Sequence, residues 1–248
     1  MCKITMNGKT VVGNNEDWTN PNSQLRFEPK AKGKFGYMCV GFDDNFPQGA
    51  VNEAGLLFDG FAMPFKASKD TIKKRVVDDS LAIDTIMKSF ATVQQVKAYL
   101  STVDLSTLTQ SMLVFIDKSG AYLRVESDEL FLDNEPLQTF SNFYPSLTPN
   151  TSQVDLPYYQ NGCKFMSQTK PQASLAYCSA AMENFKQKTT QYTTVYDLDK
   201  GVIRLFHFQN FNDFIDISLT RELSKGKRIV RIPELFHKNK AERQRIIG

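Results

Sequence analysis

The stretch MCKITMNGKTVVGNNEDW, residues 1–18, contains the strongest fold information in the chain. Two short apolar runs flank Asn7-Gly8, the dipeptide most typical of a two-residue β-turn. The sequence therefore predicts that the chain opens with a β-hairpin. Cys2 stands at the first position of its leading strand, and GNNEDW, residues 13–18, ends its returning strand.

Cys2 has two interpretations. It is either an ordinary small residue after the initiator methionine or a nucleophile. Aminopeptidases remove a methionine that precedes a small residue, and Cys2 would then carry a thiol and a free α-amine on one carbon. A thiolate is the reactive form of cysteine, and an α-amine, with a pKa of about 7.7–8.0, can accept the thiol proton near neutral pH.

Composition limits the class of protein. The 248 residues include 41% hydrophobic residues and 19 Phe, enough for one large domain with a substantial core. A net charge of +3 is mild, no apolar stretch reaches membrane-spanning length, and no secretory signal is visible, so we expect a cytoplasmic protein without a membrane span. Four cysteines and two histidines without close spacing favour neither a disulfide framework nor a zinc site, and no cofactor is expected.

Apolar periodicity predicts strands, then helices, then strands again. Strands and hairpins are predicted through residue 63, at 111–127 with a turn at Lys118-Ser119-Gly120, and at 193–208 with a turn near Asp199-Lys200-Gly201. Helices are predicted at 80–90, 92–100 and 174–185, and FNDFIDISL, residues 211–219, is predicted as the last strand. This order indicates an α+β fold with antiparallel sheets covered by helices.

The C-terminal segment, residues 221–248, holds nine Lys or Arg against three Glu. A basic tail can bind nucleic acid, but this one lacks interleaved aromatic residues and contains the apolar run RIVRIPELF. We therefore expect no nucleic-acid partner. The predicted organisation is a catalytic domain at 1–220 followed by a tail that packs on the same domain or on a neighbouring subunit, and a homo-oligomer is expected.

Three stretches in this order resemble a known family: Cys2 after Met1, GNNEDW at 13–18, and PQGAVNEAGLLFDG at 47–60. Together with TFSNFYPS at 139–146 and the hairpin at 193–211, they resemble the N-terminal-nucleophile (Ntn) amide hydrolases of the choloylglycine hydrolase and penicillin V acylase group. The branch of acyl-coenzyme A:6-aminopenicillanate acyltransferase-like proteins is especially similar. The resemblance covers most of the chain and implies a four-layer α-β-β-α sandwich of two antiparallel sheets.

The resemblance implies a set of catalytic residues. Cys2 would be the nucleophile, Asp17 would orient its α-amine, and Asn52 and Asn142 would donate to the oxyanion that forms when a thiolate attacks an amide carbonyl. The implied activity is hydrolysis of a small-molecule N-acyl amide, a linear non-peptide amide, through a thioester. Two alternatives remain open: an acyltransferase with the same nucleophile, and a non-catalytic binding protein of the same fold.

Substrate-binding positions are also implied, with two departures from the family pattern. Asn14 stands where bile-salt and penicillin V hydrolases carry an arginine, and Lys164 stands at the weakly aligned place of a late arginine. These changes argue against bile salts and penicillin V as substrates. Other pocket positions are expected at Asn15, which holds either a turn or a substrate hydrogen bond, and at Trp18, Phe61 and Phe143. An aromatic acyl pocket is expected from the rings that flank the motifs, which are Phe35, Tyr37, Phe58, Phe61, Phe143 and Tyr144.

Overall fold

Two antiparallel sheets form the centre of the protein in a computed structural model that describes residues 1–69 and 79–247. The first sheet has six strands in the order β10-β1-β2-β11-β12-β13. Its strands are β1 Cys2–Met6, β2 Lys9–Asp17, β10 Leu137–Thr139, β11 Thr190–Asp197, β12 Val202–His207 and β13 Phe214–Ser218.

The second sheet has eight strands in the order β14-β3-β4-β5-β6-β7-β8-β9. Its strands are β3 Ser23–Glu28, β4 Tyr37–Phe42, β5 Pro47–Asn52, β6 Leu57–Ala62, β7 Ser111–Ile116, β8 Tyr122–Glu126, β9 Glu129–Asp133 and β14 Arg228–Arg231. Strands β3 to β9 follow one another along the sheet in sequence order, as in a meander.

Four of the seven described helices cover the outer faces of the sheets, two on each sheet. The helices are α1 Asp79–Ser89, α2 Val93–Leu100, α3 Pro157–Gln168, α4 Leu175–Phe185, α5 Leu219–Ser224, α6 Ile232–Phe236 and α7 Lys240–Ile246. One apolar cluster joins α1 and α2 to the eight-stranded sheet, and another joins α3 and α4 to the six-stranded sheet. The largest cluster lies between the sheets. This layering confirms the predicted α+β fold and the α-β-β-α sandwich.

The first hairpin forms as the sequence predicts. Asn7 and Gly8 adopt φ angles of 52° and 72°, so both central residues of the turn lie in the left-handed region that such turns require. The resulting register pairs Cys2 with Gly13. On its other side, Cys2 pairs with Thr139 of β10, so the chain begins inside the sheet rather than at its edge.

The C-terminal segment belongs to the sandwich. Strand β14 pairs with β3, and Ile232 and Leu235 are buried in the core between the sheets. The expectation that residues 211–219 form the last strand is therefore wrong, because β14 follows β13. Its residues alternate between partly buried (Arg228 and Val230) and exposed (Ile229 and Arg231), which suits an edge strand that has one solvent face.

Helix α3 is absent from the sequence prediction. It begins at Pro157, a favoured first residue, and buries Tyr159, Gly162 and Met166. A Cβ at Gly162 would lie 2.3 Å from the ring of Phe185, so glycine permits the close approach of α3 to α4.

Among the described residues, no helix is long and apolar enough to cross a membrane.

Candidate active site

A cleft with a cavity volume of about 580 Å³ lies where β2 and β6 end and β5 begins. Its walls come from both sheets, from the segment after β10, and from α3 and α4. The described residues that line it are Met1, Asn14, Asn15, Glu16, Asp17, Trp18, Asp44, Gln48, Asp59, Gly60, Phe61, Ala62, Phe140, Ser141, Asn142, Leu156, Tyr158, Met182, Phe185, Gln187 and Thr189.

The N-terminus of the chain lies in this cleft. Met1 is 6% exposed, and its amine donates a hydrogen bond to the carbonyl of Phe140 at 3.0 Å. Burial lowers the pKa of this amine, and the nearby carboxylates of Asp59 and Asp17 act in the opposite direction. An amine in this setting loses its proton more readily than one in water.

The thiol of Cys2 lies one side chain away from the cleft. It is fully buried on the helix-facing side of the six-stranded sheet, and its Sγ is 3.5 Å from Sγ of Cys178 and 3.6 Å from Sδ of Met182, a cleft residue. A hydrogen bond from Cys178 lowers the pKa of Cys2. The Cys178 thiol therefore stabilises a thiolate at Cys2. The apolar pattern that predicts α4 does not indicate this contact.

Gly13 allows α4 to approach the Cys2 thiol. A Cβ at this position would lie 2.5 Å from Cγ of Met182 and 2.9 Å from Sγ of Cys178. Any larger residue would push α4 off the strand pair, so the glycine of GNNEDW serves close packing rather than a turn. Local sequence thus sets the surroundings of the thiol.

Asp17 ends β2 at the cleft wall. Its carboxylate accepts hydrogen bonds from Oγ1 of Thr190 and from Nε2 of Gln187, the latter at 2.7 Å. Burial raises the pKa of Asp17, and these two hydrogen bonds act against that rise. The side chain is thus fixed at the cleft wall, where it interacts electrostatically with the amine of the chain terminus.

Asn142 presents its amide at the cleft. Its Nδ2 donates to the carbonyl of Ala62 at 2.9 Å, and its Oδ1 accepts from the hydroxyl of Tyr158 at 2.9 Å. Ser141 Oγ lies 2.8 Å from the same hydroxyl. These contacts fix the orientation of the amide, and its second N–H remains available to a ligand because Asn142 itself is exposed.

Asn52 does not reach the cleft. It lies four residues along β5 from Gln48, about 13 Å at the usual strand rise. Its Nδ2 donates to the carbonyls of Met87 and Phe90, both at 2.8 Å, and its Oδ1 accepts from the backbone amides of Ala54 and Leu56. Its four hydrogen bonds join the β5–β6 turn to the end of α1, so the geometry gives Asn52 a structural position instead of the expected oxyanion one.

The expected substrate-binding residues divide into two groups. Those that line the cleft are Asn14, Asn15, Trp18 and Phe61. Those outside it are Phe143, whose ring packs 5.1 Å from that of Tyr159, and Lys164, which is exposed on α3.

Within the first group, Asn15 is already engaged: its amide donates to the carbonyl of Met182 at 3.0 Å and accepts from Thr193. Of the rings expected to form an acyl pocket, only Phe61 is among the residues that line the cleft.

Glu16, Asp59, Gln48 and Tyr158 line the cleft, although sequence reasoning gave them no role. Burial, followed by the charge of Asp17, raises the pKa of Glu16 to about 8. Burial also raises the pKa of Asp59 well above its ordinary range. Side chains alternate between the two faces of a strand, so Glu16 lies on the face of β2 opposite Asp17. That face lines the cleft because the second sheet packs against it. An acidic residue inside the apolar run LLFDGF was the available sign for Asp59.

Comparison with solved structures identifies the fold. The chain superposes on penicillin V acylase from Agrobacterium tumefaciens with a TM-score of 0.66 and 15% identity, covering 92% of this chain and 89% of that one. A variant of conjugated bile acid hydrolase from Clostridium perfringens gives 0.70 and 18%, covering 93% and 95%. The Caenorhabditis elegans ortholog of N-acylethanolamine-hydrolyzing acid amidase gives 0.60 and 11%, covering 79% and 92%.

The chain therefore has the Ntn-hydrolase fold of the choloylglycine hydrolase type, as the sequence resemblance implies. No protein-family model matches the sequence, and no curated protein matches it. At these identities the likeness concerns the fold that these amide hydrolases share.

Proposed function

We propose that the protein, after removal of Met1, is a cysteine Ntn amidohydrolase that cleaves a linear N-acyl amide through a thioester. The observation that carries this proposal is the burial of the chain terminus inside the cleft, beside Asp17 and Asn142. A terminal amine in such a position can act on the thiol of the same residue.

The first step is activation of the thiol. The α-amine of Cys2, free once Met1 is gone, accepts the thiol proton, and Asp17 stabilises the resulting ammonium. The Cys178 thiol stabilises the thiolate by a hydrogen bond. Once the peptide bond to Met1 is gone, rotation about the Cα–C bond of Cys2 can carry the thiolate from Cys178 toward the cleft.

The second step is attack on the amide. The thiolate sulfur forms a bond to the carbonyl carbon, and the carbonyl oxygen takes the negative charge. Asn142 donates its free N–H to this oxygen, and Asn14, a buried amide in the cleft wall, takes the donor role expected of Asn52. The ammonium of Cys2 then gives its proton to the leaving nitrogen as the C–N bond breaks.

The third step is hydrolysis of the thioester. The α-amine takes a proton from water, the resulting hydroxide attacks the acyl carbon, and the thiolate leaves and recovers a proton. The sum is one amide and one water converted to one carboxylic acid and one amine.

The test is amine release from a panel of N-acyl amides by wild type, Cys2→Ala and Cys2→Ser, after intact mass confirms loss of Met1. We expect turnover in wild type, no turnover in Cys2→Ala, and an acyl-enzyme mass increment in wild type during turnover. Turnover that survives in Cys2→Ala contradicts the mechanism.

Added acceptor amines distinguish the two outcomes of the acyl-enzyme. New amide product in place of acid identifies an acyltransferase. A Met1-free wild type that neither releases amine nor becomes acylated contradicts the proposal and favours the alternative of a non-catalytic binding protein.

A further inference from the structure

The cleft is acidic. Four of the residues that line it are carboxylic acids, namely Glu16, Asp17, Asp44 and Asp59, and none of its described lining residues is Lys, Arg or His. Asp17 is engaged by Thr190 and Gln187. Glu16 and Asp59, by contrast, have no ion-pair partner within 4.0 Å among the described residues. Apart from the amine of the chain terminus, the described residues that line the cleft offer no positively charged group to an anionic substrate.

Asp59 is a buried residue with one unpaired carboxyl oxygen. It is 2% exposed, and its Oδ1 makes no hydrogen bond. Buried polar atoms are normally paired, because an unpaired one costs free energy. Gly49 faces it from β5, where a Cβ would lie 3.1 Å from Oδ2, so the neighbouring strand leaves the carboxyl uncovered.

The Met1 amine places a cation in this region of the full chain. It interacts electrostatically with both Asp59 and Glu16, and the Phe140 carbonyl holds it by a hydrogen bond of 3.0 Å. Removal of Met1 moves the terminal amine one residue along the chain, to Cys2, and vacates the place beside the two carboxyls and the Phe140 carbonyl. The described residues contain no group of three side chains suited to a metal ion, so an ammonium fits the pair better than a divalent cation does.

We propose that the Glu16–Asp59 pair binds a protonated amino group of the substrate, in the part of the cleft where the full chain holds its Met1 amine. The natural substrate is then an N-acyl amide that also carries a primary ammonium, such as a monoacylated diamine. This inference rests on the proposed function only in taking Met1 as removed and the ligand as an amide. The bound cation provides the partner that the buried carboxyls lack.

Four amides of similar length test the charge preference. N-butyryl-1,4-diaminobutane carries an ammonium in its amine half, and N-butyl-5-aminopentanamide carries one in its acyl half. N-pentylbutyramide replaces the ammonium with a methyl group, and 5-(butyrylamino)pentanoate replaces it with a carboxylate. We expect kcat/KM for the better ammonium amide to exceed that of the neutral amide by about tenfold to a hundredfold, the range for a hydrogen bond to a charged group.

The anionic amide should be the poorest substrate of the four. The position of the preferred ammonium tells which half of the substrate lies beside Asp59. Equal rates for the ammonium and neutral amides, or a preference for the anion, would overturn the inference while leaving amide hydrolysis intact.

Asp59→Asn tests the pair directly, because it keeps the shape and removes the charge. It should abolish the preference for the ammonium amide, so that kcat/KM becomes the same for the ammonium amide and for N-pentylbutyramide. Glu183→Gln is the matched control: it removes one carboxylate from the exposed face of α4, where Glu183 pairs with Lys186, and should preserve the preference. An unchanged preference in Asp59→Asn would contradict the assignment.

Binding separates this inference from the proposed function. Titration of Met1-free protein with 1,4-diaminobutane, followed by calorimetry, needs no turnover. Saturable binding by wild type that is lost in Asp59→Asn supports the ammonium site even if no amide is hydrolysed. Absence of binding by wild type, together with no ammonium preference in turnover, rejects it.

Discussion

Two asparagines in similar sequence settings have opposite surroundings. Asn52 ends β5 and Asn142 lies just after β10, and the family resemblance gave both the same role. Asn52 is 1% exposed and makes four hydrogen bonds within the protein, whereas Asn142 is exposed at the cleft with one N–H free. An asparagine can donate to a ligand only where the contacts within the protein leave one of its N–H groups unpaired.

Substitution of Asn142 should have the largest effect. Asn142→Ala removes the proposed oxyanion donor, so we expect kcat to fall by about 10²–10³-fold with little change in stability, because the side chain is exposed. Steady-state kinetics with an amide that the wild type hydrolyses measures kcat, and thermal unfolding measures the stability. A kcat within threefold of wild type would remove Asn142 from the mechanism.

Asn52→Ala should show the reverse pattern. It leaves the Met87 and Phe90 carbonyls and two backbone amides without their partner, so the free energy of unfolding should fall by about 2–4 kcal/mol. Urea unfolding measures this loss. At a temperature where the variant remains folded, kcat should stay close to wild type.

The opposite result would restore the catalytic role. A hundredfold fall in kcat with unchanged stability would mean that Asn52 acts in the reaction, and the contrast between the two asparagines would be lost.

Sequence predicted the parts of the fold that local rules determine. The Asn7-Gly8 turn, the hairpins near Gly120 and Gly201, and the helices α1, α2 and α4 all follow from turn chemistry and periodicity. Helix α3 did not, because Gly162 and several polar residues weaken its apolar pattern. Its spacing of buried residues becomes clear only against α4.

The candidate site was only partly predictable for a related reason. The resemblance pointed to Cys2, Asp17 and Asn142 by their positions at or near the ends of strands. All three lie at or beside the cleft. Asp59 and Glu16 come from different sheets, and their proximity depends on how those sheets face each other. One sequence without pairing information does not contain that relation.

Glu16 should make the free energy of unfolding depend on pH, which the uncharged side chain of Asn52 at the end of β5 cannot do. Its pKa is about 8 in the folded protein against 4.5 for the unpaired group, because burial and the charge of Asp17 disfavour the anion. Between these values the folded state binds more protons than the unfolded state. The free energy of unfolding should therefore fall as pH rises from about 4.5 to about 8 and level off above that.

Glu16→Gln should reduce this fall by about 1–2 kcal/mol, discounted because the side chain is partly exposed. Urea unfolding at about pH 5, 6.5 and 8 measures the slope, and Glu183→Gln should keep the wild-type slope. Identical slopes in Glu16→Gln and wild type would mean that Glu16 remains ionised in the folded protein.

Lys164 should give the smallest effect. It lies exposed on α3, away from the residues that line the cleft, and among its described contacts only its backbone carbonyl accepts a hydrogen bond, from Ser167. Lys164→Gln should change the free energy of unfolding by less than about 0.5 kcal/mol and leave kcat/KM unchanged. The same kinetic and urea measurements apply. A specific rise in KM would mean that α3 turns this side chain toward the substrate, and the cleft would then hold a cation opposite its acidic pair.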